Sequence, residues 1–343
     1  MFERRMIANR TQVYRITLFQ LLKFLYTNKP SKSEYSLIQM LSILKSIKFE
    51  LRSLHSVYGL NLLFSPEDSK NHAMNNFKKI NTVFGWITFL IAIAVYIMTL
   101  EQSVSLWDCG EFISASYRLQ VVHPPGAPLF LMLGRLFSIF ATPGTNEVAI
   151  AVNMLSAVFS AATVMFTFWI TTHFAKKILK VDLNANTVDL GNAISIFGSG
   201  LVAAMSVTFM DTFWFNAVEA EVYAGSSCFM ALAFWAILKW EKVKEDPTSD
   251  RWIVFIAYII GLGIGLHLLN ILVVPAVFLY YFINKFGVNR RNIIRASVIG
   301  IGSIALLQWV IIPKTPAIAA FFDKIFVNSF GLPFNSGVLF FLL

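Results

Sequence analysis

The chain has 343 residues, of which 57% are apolar and only 14% charged, with 33 phenylalanines and a formal net charge of +9. A soluble domain carries roughly 25% charge, so this composition excludes an ordinary globular protein and marks a polytopic membrane protein. The positive balance does not point to nucleic acid, because the basic residues fall in short stretches between apolar runs.

Residues 1–73 hold eleven Lys/Arg against five Asp/Glu, contain no full-length span and lack the layout of a signal peptide. Within them, 16–26 read as a short amphipathic helix. Met74, followed by Asn-Asn-Phe-Lys-Lys and the first apolar run, has the character of a translation start. The segment 1–73 is therefore expected to be a basic cytoplasmic tail or an over-extended gene model, and 74–343 a transmembrane domain. A crossing helix needs about 20 mostly apolar residues. The runs 80–100, 148–172, 190–209, 222–238, 252–265, 268–283 and 293–312 are taken as spans, about seven in all. The run 127–141 is shorter, follows a Pro-Pro-Gly breaker and carries Arg135, so it is predicted to lie along the membrane interface. The closing VLFFLL reads as the start of an eighth span, and the chain is expected to be the N-terminal part of a longer protein.

Loop charges orient these spans. With a cytoplasmic start, the inner loops hold thirteen basic residues, among them Lys78, Lys176, Lys177, Lys239, Lys242, Arg290 and Arg291. The outer segments hold four, namely Arg118, Arg135, Lys314 and Lys324. Counting 127–141 as a crossing would carry Lys176, Lys177 and Lys180 outside, so the positive-inside rule selects the seven-span reading. Glu101, Asp108, Glu111, Asp211, Glu219, Glu221 and Asp323 then fall on the outer side, with His123 and His267. Ionisable groups crowded against apolar spans are costly and are functional candidates by default.

The first outer loop, WDCGEFISASYRLQVVHPPGAPLF, is the richest stretch. A helix over 110–120 would align Asp108, Glu111, Ala115 and Arg118 on one face. A carboxylate there can take a proton from a nucleophile, and Arg118 can hold a carboxylate ionised or meet a phosphate. The same residues also suit an interfacial salt-bridge cluster in which Asp108 caps the helix. The prolines of His-Pro-Pro-Gly at 123–126 hold His123 in a fixed path at the mouth of the next helix. At the outer end of the third span, DTFWFNAVEAEVYA is expected to carry Asn216, Glu219 and Tyr223 on one helical face, with Glu221 about 160° away from Glu219. Gly261, Gly263 and Gly265 lead into His267 and Asn270 and suggest close helix packing. Cys109 and Cys228 have neither metal nor disulfide spacing and are read as small buried side chains. No phosphate loop, zinc spacing or GxSxG elbow occurs in the sequence.

A carboxylate-bearing first outer loop followed by an interfacial helix opened by His-Pro-Pro resembles glycosyltransferases of the GT-C fold that use polyprenyl-phosphate sugars. The motifs WDCGEFI, HPPGAPLF, DTFWFNAVEAEVYA and GLHLLN are most similar to the bacterial domain-of-unknown-function 2723 family, grouped with glycosyltransferase family 117. The resemblance covers about residues 76–343. It implies an all-α, GT-C-type bundle with a juxtamembrane helix, a lipid-linked sugar donor such as a mannosyl lipid, and hydroxyl acceptors on exported proteins. It also implies a site on the periplasmic or lumenal face, in the bacterial inner membrane on the family's usual setting. Asp108 is then the expected base, supported by Glu111, with Arg118, His123, Asn216, Glu219, Glu221, Tyr223 and His267 as substrate-binding candidates. The cation that meets the departing phosphate is left open between Arg118, Arg135, a downstream basic residue and a divalent metal. Two rival readings remain: a secondary transporter with an outward acidic site, and a non-catalytic binder of lipid-linked glycans.

Overall fold

The computed structural model describes residues 70–181 and 190–343, all within one compact unit. The expected tail 1–73, with its 16–26 helix, lies outside the described residues except for 70–73. Those four residues open helix α1 (Lys70–Met98), so Met74 sits inside a helix. The first outer loop folds into α2 (Cys109–Arg118) and α3 (Pro128–Phe137), the latter continued by a 3₁₀ turn, Ser138–Phe140. Then come α4 (Asn146–Ile178), α5 (Leu190–Thr208), α6 (Asp211–Val218), α7 (Val222–Glu241) and α8 (Asp250–Ile264). A 3₁₀ stretch, Leu268–Val273, leads into α9 (Val274–Phe286). The chain continues through α10 (Arg290–Leu306), a π-helical turn at Leu307–Ile311, α11 (Ile312–Phe330) and α12 (Ser336–Leu342). Among the described residues no strand occurs, and the chain is an all-α polytopic membrane protein.

Among the described residues, six helical segments are long and apolar enough to cross a bilayer: Phe77–Met98, Asn146–Ile178, Leu190–Thr208, Val222–Glu241, Leu268–Phe286 and Arg290–Phe330. The remaining expected span, 252–265, falls almost wholly in α8, whose 15 residues at about 1.5 Å each reach only about 22 Å. It nevertheless runs between the two charge-sorted ends of the bundle. Near its start Lys244 Nζ donates to the Asn284 carbonyl, and beyond its end the Gly265 carbonyl accepts from Leu129 N. The expected span 293–312 is part of a longer helical run. The π turn precedes Pro313, whose missing N–H interrupts the α-helical ladder, and at its end Ile312 N donates to the Leu307 carbonyl five residues back. Pro128–Phe140 is short and apolar, as the interfacial reading expects.

α4 is the central post. It is apolar all round, which suits a helix enclosed by neighbours rather than one with a lipid face. Ala157, Ala161, Val164 and Phe168 are fully buried in a cluster with Tyr96, Ile196, Ala204 and Ala217. Small residues set the close approach: a Cβ on Gly200 would stand 2.6 Å from Thr172 and 2.8 Å from Phe168.

Both ends of this post are polar. At one end Asn153 Nδ2 donates to the carbonyls of Glu101 and Ser103, fastening the first outer loop. At the other, Lys177, His173, Glu241 and Tyr280 join α4, α7 and α9 in a hydrogen-bonded network.

Candidate functional site

Four segments converge at the outer end: the start of α2, the His-Pro-Pro-Gly loop, the Glu219–Tyr223 link and the turn before the second 3₁₀ stretch. Together they line a small recess that includes Asp108, Phe112, His123, Glu221, Tyr223 and His267.

α2 begins directly after Asp108, which occupies the N-cap position without a side-chain capping bond. The capping alternative is therefore not realised. Its carboxylate is more than half exposed and lies 4.0 Å from His123 Nε2. One turn on, Glu111 reaches across the loop. Its Oε1 accepts from the His123 backbone N at 2.7 Å, and its Oε2 lies 2.7 Å from His123 Nδ1. This double contact orients the imidazole. It raises the His123 pKa and lowers that of Glu111, the mutual side-chain hydrogen bond being the largest cause in each. Phe112 packs between the His123 ring and Phe130, seating the loop on α3.

The link after α6 corrects an expectation. Asn216, Glu219 and Tyr223 do not share a helical face, because α6 ends at Val218 and Glu219 and Glu221 are extended. In extended chain, alternate side chains point the same way. The two carboxylates, expected about 160° apart on a helix, instead both approach the buried Cys109 thiol, at 3.9 Å and 3.6 Å. Burial, with these two charges, pushes the thiol pKa up. Burial likewise raises Glu221 to about 7; the Cys109 hydrogen bond opposes that rise, and Asp108 and Glu219 add to it. Ser156, in the first third of α4, clasps this link, accepting from Glu221 N at 3.1 Å and donating to the Glu221 carbonyl at 3.3 Å.

The GLHLLN motif supplies the opposite wall. His267 Nδ1 accepts from Leu269 N at 3.1 Å, which leaves Nε2 as the protonated nitrogen of the neutral ring. Burial lowers its pKa, and its ring rests on Tyr223 with centroids 4.9 Å apart. Asn270, fully buried, donates to Ser226 Oγ at 2.9 Å and to the Gly263 carbonyl at 2.8 Å, locking the turn to α7 and α8. Gly263 and Gly265 pack closely, as expected; Gly261 faces open space.

The recess thus gathers Asp108, His123, Glu221, Tyr223 and His267, with Glu111 and Glu219 just behind. Two expected residues stay apart. Arg118 ends α2, and ten residues at about 1.5 Å each put it roughly 15 Å from Asp108; there it complements the helix C-terminus. Asn216 donates to the Thr212 carbonyl of its own helix at 2.6 Å. Arg135, one of the expected phosphate ligands, donates to the Tyr117 carbonyl at 2.9 Å and lies over that ring, bracing α2 on α3. Cys109, Ser156 and Asn153 escaped the sequence reading as parts of the site. For Asn153 and Ser156 the available signal was polar side chains within the apolar α4 run. Asp108, Glu111 and His123 also each offer one ligand atom within 4.8 Å of the others, a donor set that suits a divalent cation.

The family model described as the protein O-mannosyl-transferase TMEM260 N-terminal domain matches residues 108–290. Protein O-mannosyl-transferase tmem260 of Dictyostelium discoideum is 24% identical over 233 residues, 64% of this chain and 26% of that protein. Protein O-mannosyl-transferase TMEM260 of Mus musculus is 28% identical over 182 residues, 53% of this chain and 22% of that protein. The chain thus spans about a quarter of the length of these curated relatives. No solved structure matches it. With more than half of its length matched, beginning at Asp108 itself, the chain belongs to the family of the protein O-mannosyl-transferase TMEM260 N-terminal domain.

Proposed function

We propose that residues 74–343 form the GT-C-like membrane part of a protein O-mannosyltransferase. It would move mannose from a polyprenyl-phosphate donor to Ser or Thr hydroxyls of exported proteins. The observation that carries this reading is an exposed Asp108 carboxylate facing an imidazole that Glu111 holds by two contacts, inside the segment shared with the relatives. The hydroxyl oxygen attacks the anomeric carbon, its proton passes to Asp108, and the polyprenyl phosphate departs with the electrons of the broken C–O bond. His123 is the positive group nearest Asp108, since Glu111 favours its protonated form. It meets the departing phosphate in place of Arg118 and Arg135.

Glu221, Tyr223 and His267 line the same recess and offer hydrogen bonds to sugar hydroxyls. A divalent cation held by Asp108, Glu111 and a neutral His123 would supply the positive charge beside the phosphate in place of the imidazolium. The site faces away from the basic loops, which in a bacterium is the periplasm and in a eukaryotic cell the lumen. The test is mass spectrometry of an exported acceptor made in cells that carry the full-length protein or its Asp108→Asn form. Hexose on Ser or Thr should be present with the first and lost with the second. An acceptor equally modified in both would overturn the assignment of the base.

A further inference from the structure

The other end of the same helices holds a larger cavity of about 470 Å³, unrelated to the recess. Lys78 at the start of the first span, Lys176 near the end of α4, and Lys239 and Lys242 at the end of α7 all line it. Trp169 and Trp235 form its deeper wall. The carboxylate nearest these lysines is Glu241, and it is already engaged by His173, Lys177 and Tyr280. Four ammonium groups therefore share one cavity without a free counter-charge among the described residues. Lys239 Nζ is held over the Trp235 ring, 4.6 Å from its centre, which fixes that cation on the cavity wall. Lys242 is pushed down to about 8, by desolvation first and then by Lys239, Lys176 and Lys78, so the four charges do face one another.

A protein does not hold four cations together without an anion close by, and a phosphate offers several oxygens to such a cluster at once. An exposed apolar surface lies beside the cavity wall. Trp169 meets Trp86 edge-on, and Val83, Trp86 and Leu90 form an exposed apolar stripe up the outside of α1. A headgroup in the cavity would have its acyl chains beside that stripe.

We propose that this inner-end cavity binds a phosphate anion, and that the anion is the headgroup of an anionic phospholipid of the inner leaflet. Such basic pockets between helices at the cytoplasmic face suit lipid phosphates.

The test is native mass spectrometry of the full chain in mixed micelles, offered phosphatidic acid, phosphatidylcholine or inorganic phosphate. Wild type should retain phosphatidic acid in preference to phosphatidylcholine. Each surface lysine is worth about a factor of five towards an anionic lipid, so Lys78→Gln with Lys242→Gln should weaken retention by roughly 25-fold. The pair Lys78→Arg with Lys242→Arg should keep it, which separates lost charge from lost folding. Equal retention by wild type and the glutamine pair would overturn the site. Lysine-dependent binding of inorganic phosphate without selection of phosphatidic acid would overturn the lipid as its source.

Discussion

The outer and inner ends of the bundle are built by opposite means. At the inner end the charged groups sit on the ends of long helices, and Lys78, Lys176 and Lys239 meet because α1, α4 and α7 run side by side. At the outer end they sit on short helices, a proline loop and an extended link, and meet only because the loops fold back over α4. The contrast assigns the two ends different sensitivities. Removing an exposed group at the outer end should alter chemistry and spare the bundle, whereas cutting the inner network should loosen the bundle and spare chemistry.

The largest effect expected is at Asp108. Asp108→Asn keeps the shape of the side chain but not its basicity, so transfer to an acceptor should fall by about 10² or more, with an unchanged melting temperature. A comparable loss of thermal stability would erase the contrast.

Next comes Glu241→Gln at the inner end, where one carboxylate joins Lys177, His173 and Tyr280. Losing this charged acceptor should cost about 2 kcal/mol in unfolding, read by denaturant titration, while transfer stays near wild type. A selective loss of transfer would instead tie the inner end to the chemistry.

Glu111→Gln is expected to act through His123. Transfer should drop about ten-fold, the worth of one charge-assisted hydrogen bond. The His123 ring, no longer held protonated by the carboxylate, should titrate at lower pH in an NMR experiment. An unchanged titration would show that the Glu111 contact does not govern the ring.

The smallest effect concerns Glu221. Its carboxyl is raised in the fold from 4.5 to about 7, so the folded state binds this proton more tightly than the unfolded one. That contribution to stability is complete below about pH 4.5 and is lost as pH rises through about 7. Glu221→Gln should flatten the fall in melting temperature across that window, and an unaltered slope would place the titration elsewhere.

The amino-acid sequence alone determined the class of the protein, the positions of most spans and the short apolar helix now seen at Pro128–Phe140. These follow from run length, composition and loop charge, all of which are local quantities. It also singled out Asp108, Glu111, His123 and His267 as ionisable groups beside apolar spans. Only the tertiary structure decided how they pair. Helical spacing put Arg118 on the face of Asp108 and Glu111, yet the rise of that helix removes it from the recess. The same spacing separated Glu219 from Glu221, but the chain leaves the helix at Val218, and extended backbone turns both carboxylates towards Cys109. Periodicity fixes which side chains share a face only while the helix lasts. The contacts that build the site bridge residues far apart in sequence, Cys109 and Glu221 being 112 apart, and depend on how loops cross a packed helix.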